Sequence, residues 1–221
     1  MLLAGPTGLV GREMLRLALA ARVDVHALVR RPPPPSPSAP GPVPAVSNLH
    51  WLTVDYTRLP ELPPATEAVC ALGTTLAVAG SEAAFRAVDH DAVLAFARAA
   101  RTAGVRRFGV VSALGADPAS RQFYSRVKGE TEQALRALDF PVLIIARPSL
   151  LSGDRGSLGQ PGRPLERLGL WLTRPVAGLL PARVRPIPAT VVARALLRAL
   201  PASPPGVRII DSAELHKLGA P

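Results

Sequence analysis

A doubly wound α/β fold, with a mostly parallel sheet and helices on both faces, is what this sequence predicts, on three observations. Short apolar runs closed by glycine or polar residues alternate with longer stretches of helical periodicity, the pattern of a parallel sheet. The first run leads directly into Gly5-Pro6-Thr7-Gly8-Leu9-Val10-Gly11 and then a helical stripe, an arrangement that turns helix N-terminal amides toward a phosphate. Tyr124 and Lys128 stand four residues apart in a third helical segment, which stacks hydroxyl and ammonium on one face. Together these predict a Rossmann-like architecture, with the 221 residues forming a single domain, 1–221.

In chain order, residues 1–4 read as a short buried strand, and Met14, Leu15, Leu17, Ala18 and Leu19 give the first helix its apolar face. Gly5 permits the tight turn, Gly8 lets a pyrophosphate approach the backbone, and Gly11 lets helix and strand pack closely; Thr7, Leu9 and Val10 complete the expected cofactor-binding loop. Its G-x-x-G-x-x-G spacing is one residue longer at the first gap than the commoner G-x-G-x-x-G. Residues 23–29 form the second strand, ending in Arg30-Arg31. No acidic residue stands there to hold a ribose 2′-hydroxyl, whereas guanidinium forks suit a 2′-phosphate, so the pair predicts NADP(H) in preference to NAD(H). The alternative is a solvated strand end in an arginine-rich chain.

Proline dominates residues 32–44, predicting an extended loop of polyproline II character, either an ordinary variable loop or a docking segment for a protein partner. Residues 49–56 are strand-like, and Asp55 near their end is placed to hydrogen-bond an adenine amino group. Residues 68–72 form a buried strand with Cys70 as a core residue. At its end Leu72, Gly73 and Thr74 leave room for a cofactor, since ligands bind at the C-terminal ends of such strands.

Helical periodicity over residues 81–102 places Phe85, Val88, Ala92, Val93, Phe96, Ala97 and Ala100 on one stripe, with Gly104 as C-cap. His90 and Asp91 face different directions and read as surface groups or groups behind the site; the four histidines show no metal-ligand spacing. Residues 106–112 form the next strand, 113–120 a loop, and Arg121 opens the helix of Tyr124 and Lys128. Ser112 thus sits at a strand tip, from which it can converge with the tyrosine on one carbonyl. Residues 141–146 are a further strand, and Arg147-Pro148-Ser149, with Pro148 counted among the cofactor contacts, leads into a glycine-rich loop over 153–162. Residues 165–180 read most simply as a helix covering the substrate side, with a membrane-surface helix as the alternative. About residues 150–190 form a small C-terminal substrate-side extension, a helix over 189–200 follows, and 207–211 is the last strand.

The net charge of +10 and pI near 11.3 would suit a polyanion partner. However, 24 arginines and two lysines are spread without a run longer than two and without interleaved aromatics, so compositional bias explains them and no nucleic-acid partner is expected. One cysteine excludes an internal disulfide or a thiol pair. With no basic leader before the apolar start and no uncharged run of membrane-spanning length, a cytoplasmic location with neither membrane nor metal partner is expected. A protein partner or a homodimer stays open.

The set Gly5-x-x-Gly8-x-x-Gly11, Asp55, Ser112 and Tyr124-x-x-x-Lys128 resembles the short-chain dehydrogenase/reductase superfamily in its extended or atypical branch. It looks most like the HIV-Tat-interacting-protein-like NAD(P)H-binding oxidoreductases, through Cys70-Ala-Leu-Gly-Thr-Thr, Val88-Asp89-His90-Asp91, Ser112-Ala-Leu-Gly-Ala-Asp117, Tyr124-x-x-Val-Lys-Gly-Glu130 and Arg147-Pro148-Ser149. The proline loop and residues 150–190 match least. The resemblance implies Tyr124 as general acid or base, Lys128 lowering its pKa and binding the nicotinamide ribose, and Ser112 polarising a carbonyl. A free tyrosine titrates near roughly pH 10, so a neighbouring cation is what makes it a base at neutral pH. The asparagine that members often carry on the helix before the serine strand has no counterpart, Asn48 being the only one in the chain. Hydride transfer between NADP(H) and a small carbonyl or alcohol is the leading expectation, the particular substrate being unknown. A dinucleotide-binding sensor or scaffold without turnover stands second, and a sugar-nucleotide epimerase or dehydratase third.

Overall fold

The computed structural model describes residues 1–31, 48–152 and 184–220. Seven strands pair in one sheet in the order β3-β2-β1-β4-β5-β6-β9, and every pair is parallel. They are β1 (Leu2–Ala4), β2 (Val25–Val29), β3 (Leu49–Thr53), β4 (Glu67–Cys70), β5 (Arg107–Val111), β6 (Val142–Arg147) and β9 (Gly206–Asp211). A separate two-stranded pair joins β7 (Leu151–Ser152) to β8 (Ile187–Pro188). The chain runs outward from β1 to β3, then returns to lay β4 on the opposite edge of β1. That reversal opens a crevice at the C-terminal strand ends, where doubly wound sheets bind ligands.

Two apolar cores, one on each face, follow from the alternation of side chains along buried strands. Leu2, Ala4, Ala68, Cys70, Leu143 and Ile145 enter one core, with Val93, Phe96, Ala97 and Ala100 of α4 (Val93–Thr102) and Leu135 of α5 (Phe123–Arg136). Leu3, Val69 and Ile144 enter the other, with Val10, Met14 and Ala18 of α1 (Leu9–Ala20), Val192 and Leu196 of α6 (Ala189–Ala202) and Leu215 of α7 (Ser212–Leu218). The three residues of β1 suffice for a central strand because all are buried on both faces. The doubly wound prediction therefore holds.

Boundaries differ for local reasons. β3 stops at Thr53 because Val54 still donates to the Val29 carbonyl while Asp55 turns back to accept from the Thr57 backbone N–H at 2.9 Å. The helix expected over 81–102 is three segments: α3 (Glu82–Arg86), a π-helical stretch over Ala87–Ala92, and α4. A four-residue helix, α2 (Leu76–Ala79), follows β4, its Thr75 hydroxyl accepting from the Val78 N–H. α5 begins at Phe123, two residues later than expected. The expectations for 32–44, 153–162 and 165–180 lie outside the described residues.

Cys70 is fully buried, as expected. Burial pushes its thiol up to about 12 from an ordinary value of 9.0, and burial likewise raises the Tyr56 phenol above its usual range. The unfolded chain therefore loses the thiol proton first, so stability is intact below about pH 9 and falls as pH rises toward 12, by about 1.4 kcal/mol per pH unit for each such group. Urea unfolding across this alkaline range should show a shallower loss for Cys70→Ala than for the wild type. Parallel slopes would exclude the thiol as a cause.

Candidate functional site

A cleft of about 790 Å³ lies at the C-terminal strand ends. Gly8, Leu9 and Val10 border it from the loop after β1; Leu72, Gly73 and Thr74 from the loop after β4; Ser112, Tyr124, Lys128 and Pro148 from the strands and helix beyond. Gly5, Thr7, Gly11, Arg30, Arg31 and Asp55 are not among its lining residues.

Gly5 and Gly11 act on the backbone that shapes the cleft. Gly5 has φ +78, and a Cβ there would stand 2.7 Å from the Ala71 carbonyl carbon; a Cβ on Gly11 would stand 1.9 Å from the Gly5 oxygen. The loop can thus pack against the end of β4 and under α1 only with hydrogen at both positions. Gly8 is the N-cap of α1 and, lacking a side chain, leaves the first-turn amides uncapped, which suits an anion. Thr7 is exposed beside it. Arg30 and Arg31 are exposed just beyond β2 and make no hydrogen bond or ion pair among the described residues. Asp55 is exposed beyond β3, where hydrogen bonds from Thr57, first from its backbone and then from its side chain, hold the carboxyl below its usual range.

The lysine is not a lone cation. Lys128 Nζ lies 2.7 Å from Asp89 Oδ1, with side-chain exposures of 8% and 0%. Burial depresses the ammonium's pKa, but the Asp89 carboxylate and the Tyr124 side chain more than offset it, and the net direction is upward. Asp89 Oδ2 also accepts from the Thr74 N–H at 2.8 Å, so one aspartate ties the helix lysine to the loop after β4. A Cβ on Gly73 would stand 3.4 Å from Asp89 Oδ1.

Ser112 is buried at the tip of β5, and its Oγ donates to Glu132 Oε1 at 2.5 Å. Glu132 is itself held by Arg147, through Nε at 3.0 Å and Nη2 at 2.6 Å. Tyr124 is 37% exposed, its ring tilted against Phe85 at 5.5 Å between centroids. His90 and Asp91 form their own pair at 2.7 Å, with Asp91 exposed.

Asp89 and Glu132 are the residues the sequence reading missed as site groups. The signal was available: Asp89 is four residues from both Phe85 and Val93, on the apolar stripe, and Glu132 is one turn beyond Lys128 on the same face. A charge on a buried stripe requires a partner.

A family model described as NAD(P)H-binding matches residues 5–168. The chain belongs to the NAD(P)H-binding family. Among its relatives, the protein FMP52, mitochondrial, of Coccidioides immitis is 37% identical over 166 residues, covering 69% of this chain and 66% of the relative. HTATIP2 of Rattus norvegicus is 37% identical over 163 residues, 71% of this chain and 64% of the relative, in agreement with the resemblance read from the motifs. The fmp-52 protein of Neurospora crassa, also named mitochondrial, is 31% identical over 98% of this chain and 93% of the relative. For the first two, the matched stretch spans about two thirds of the relative's length.

Among solved structures, MoeE5 in complex with UDP-glucose and NAD has a TM-score of 0.68 at 16% identity, covering 99% of this chain and 80% of that one. The human epimerase family protein SDR39U1 with NADPH has a TM-score of 0.62 at 17% identity, covering 96% and 76%. At such identities the likeness is one of fold. The cytoplasmic expectation is corrected by these findings, since the fungal relatives are named mitochondrial; the apolar character of residues 1–4 was too weak a signal to set a compartment. No helix among the described residues is long and apolar enough to cross a membrane.

Proposed function

We propose that this member of the NAD(P)H-binding family is an NADP(H)-dependent oxidoreductase of the atypical short-chain dehydrogenase type, acting on a small carbonyl or alcohol. The observation that carries the reading is the joint placement of Tyr124, Lys128 and Ser112 on the same cleft as the glycine loop. The residues fit a dinucleotide, because the close backbone packing that Gly5 and Gly11 permit sets the uncapped N-terminus of α1 at the cleft bordered by Gly8, Leu9 and Val10. When bound, the nicotinamide supplies or accepts the hydride.

The chain's own groups do the rest. Tyr124 presents its hydroxyl at the cleft and passes a proton to, or takes one from, the substrate oxygen. Lys128, kept an ammonium by Asp89, has further N–H donors for ribose hydroxyls. Thr74, fixed through Asp89, holds the loop beside the cofactor in place, and Asp55 beyond β3 serves the adenine. Arg30 and Arg31, with no acidic residue at the end of β2, favour the 2′-phosphate. The relatives' names support a mitochondrial location for this chain as well.

The reading is tested by titrating NADPH and NADH into the protein, then following NADPH oxidation across a panel of small ketones and aldehydes. Turnover is expected with NADPH. Arg30→Ala with Arg31→Ala should weaken NADPH about tenfold, the value of a charge-assisted hydrogen bond, and NADH by less than about twofold; equal losses would reduce the pair to surface charge. A second reading, a cofactor-binding sensor, is favoured by one observation: Lys128 and Ser112 are both already engaged by carboxylates of their own chain. Tight NADPH binding with no carbonyl reduced would support it.

A further inference from the structure

Ser112 has one hydroxyl hydrogen, and its partner decides where that hydrogen goes. Glu132, 3% exposed, receives the Arg147 guanidinium on both carboxylate oxygens. An acceptor engaged in this way by a cationic fork has no hydrogen to give, so in the 2.5 Å contact between Ser112 Oγ and Glu132 Oε1 the serine is the donor. What the serine can offer the cleft it lines is then its remaining lone pairs. A carbonyl oxygen, itself only an acceptor, finds no hydrogen there, whereas a hydroxyl donates to Oγ directly.

We propose that Glu132, held by Arg147, is a positioning residue that turns Ser112 into a hydrogen-bond acceptor toward the cleft, so that the site is matched through this serine to a hydroxyl-bearing ligand. The inference rests on the proposed function only in taking the cleft as the substrate pocket. It reverses the role that the family resemblance implied for Ser112. In reduction, the product hydroxyl, once it carries the proton delivered by Tyr124, turns that hydrogen to the serine; in oxidation, the incoming alcohol is seated by donating to the serine and turns the same hydrogen to Tyr124 before it is taken. The three residues come from the residue after β5, from α5 and from the end of β6, so the donor direction is fixed by the packing of α5 over two adjacent strands.

Neutron diffraction from wild-type crystals exchanged into heavy water is expected to place the Ser112 deuterium on the line from Oγ to Glu132 Oε1. A deuterium aimed into the cleft overturns the proposal. The solution test uses two non-reacting pairs, cyclohexanol with NADPH and cyclohexanone with NADP+, with affinities read by calorimetry. Glu132→Met combined with Arg147→Met removes both charges together and leaves neither buried alone, which frees the serine hydrogen for the cleft. Cyclohexanone should then bind about fivefold tighter, one ordinary hydrogen bond's worth, while cyclohexanol keeps its wild-type affinity. An unchanged ratio between the two, including a parallel loss of both, would mean that the pair serves packing alone and overturns the proposal. Neither arm needs turnover, so a protein that binds NADPH but reduces nothing fails the oxidoreductase reading and leaves this test intact.

Discussion

Tyr124→Phe is expected to lower kcat by at least about 10²-fold, and by up to about 10⁴-fold, the range for loss of a positioned general acid, with NADPH affinity within about a factor of two of the wild type. The substitution removes one hydroxyl and keeps the ring that packs against Phe85 at 5.5 Å. Stability is therefore not at stake, and with 37% of the residue exposed no buried polar partner is orphaned. Lys128 keeps Asp89 at 2.7 Å, so the cofactor side of the cleft is unchanged. Wild-type turnover in the variant would remove Tyr124 from the chemistry and with it the oxidoreductase reading. A parallel collapse of NADPH affinity would show instead that the tyrosine holds the cofactor. Steady-state kinetics with a reduced carbonyl from the panel, together with NADPH titration, separate the three outcomes.

What could be read from the sequence was whatever is local. β1, the glycine loop and α1 are contiguous, so apolar run, glycine spacing and helical stripe together predict a strand, tight loop and helix, and the close approaches at Gly5 and Gly11 give that spacing its steric reason. Tyr124 and Lys128 were legible because an i, i+4 relation fixes their common face before any tertiary contact forms. The partners of those groups were not. Asp89 stands in a run of three polar residues with His90 and Asp91, all three on a π-helical stretch over Ala87–Ala92 whose altered winding the 3.6-residue periodicity does not describe. Glu132 meets Ser112 twenty residues away and Arg147 fifteen residues away, a three-way meeting that no periodicity encodes. The sequence reading therefore named Ser112, Tyr124 and Lys128, which the structure places on the cleft, and missed Asp89 and Glu132, the carboxylates that engage the lysine and the serine. Those carboxylates change what the facing groups can do: the lysine is half of an ion pair, and the serine has given its hydrogen away.

Gly129→Ala should be among the most disruptive single-methyl changes near the site. Gly129 follows Lys128 on α5, and a Cβ there would stand 2.1 Å from the Pro118 nitrogen, 2.2 Å from the Asp117 carbonyl carbon and 2.6 Å from the Pro118 ring. None of these atoms can rotate away, because they belong to backbone and a closed ring. In an open helix the same change would stabilise by about 1 kcal/mol through propensity, so the sign depends on which effect wins. Forcing a methyl into a full contact costs about 1–3 kcal/mol where side chains can adjust and more where they cannot, and here the clash dominates. The loop cannot give freely either: the Asp117 N–H donates to the Ser125 carbonyl at 3.0 Å, and the Asp117 side chain accepts from the Ala119 N–H at 2.9 Å. Relief must come from α5 moving outward, which draws Lys128 from Asp89 and Glu132 from Ser112 at once. The expected result is a loss of at least about 2 kcal/mol in denaturant unfolding together with roughly a 10²-fold fall in kcat/KM from misplacement on the order of 1 Å. A variant as stable as the wild type would show that propensity had won and that the loop over residues 113–120 yields. Full stability with lost turnover would place the whole cost in the alignment of α5, which makes this methyl a direct measure of how tightly the Tyr124 and Lys128 face must be held.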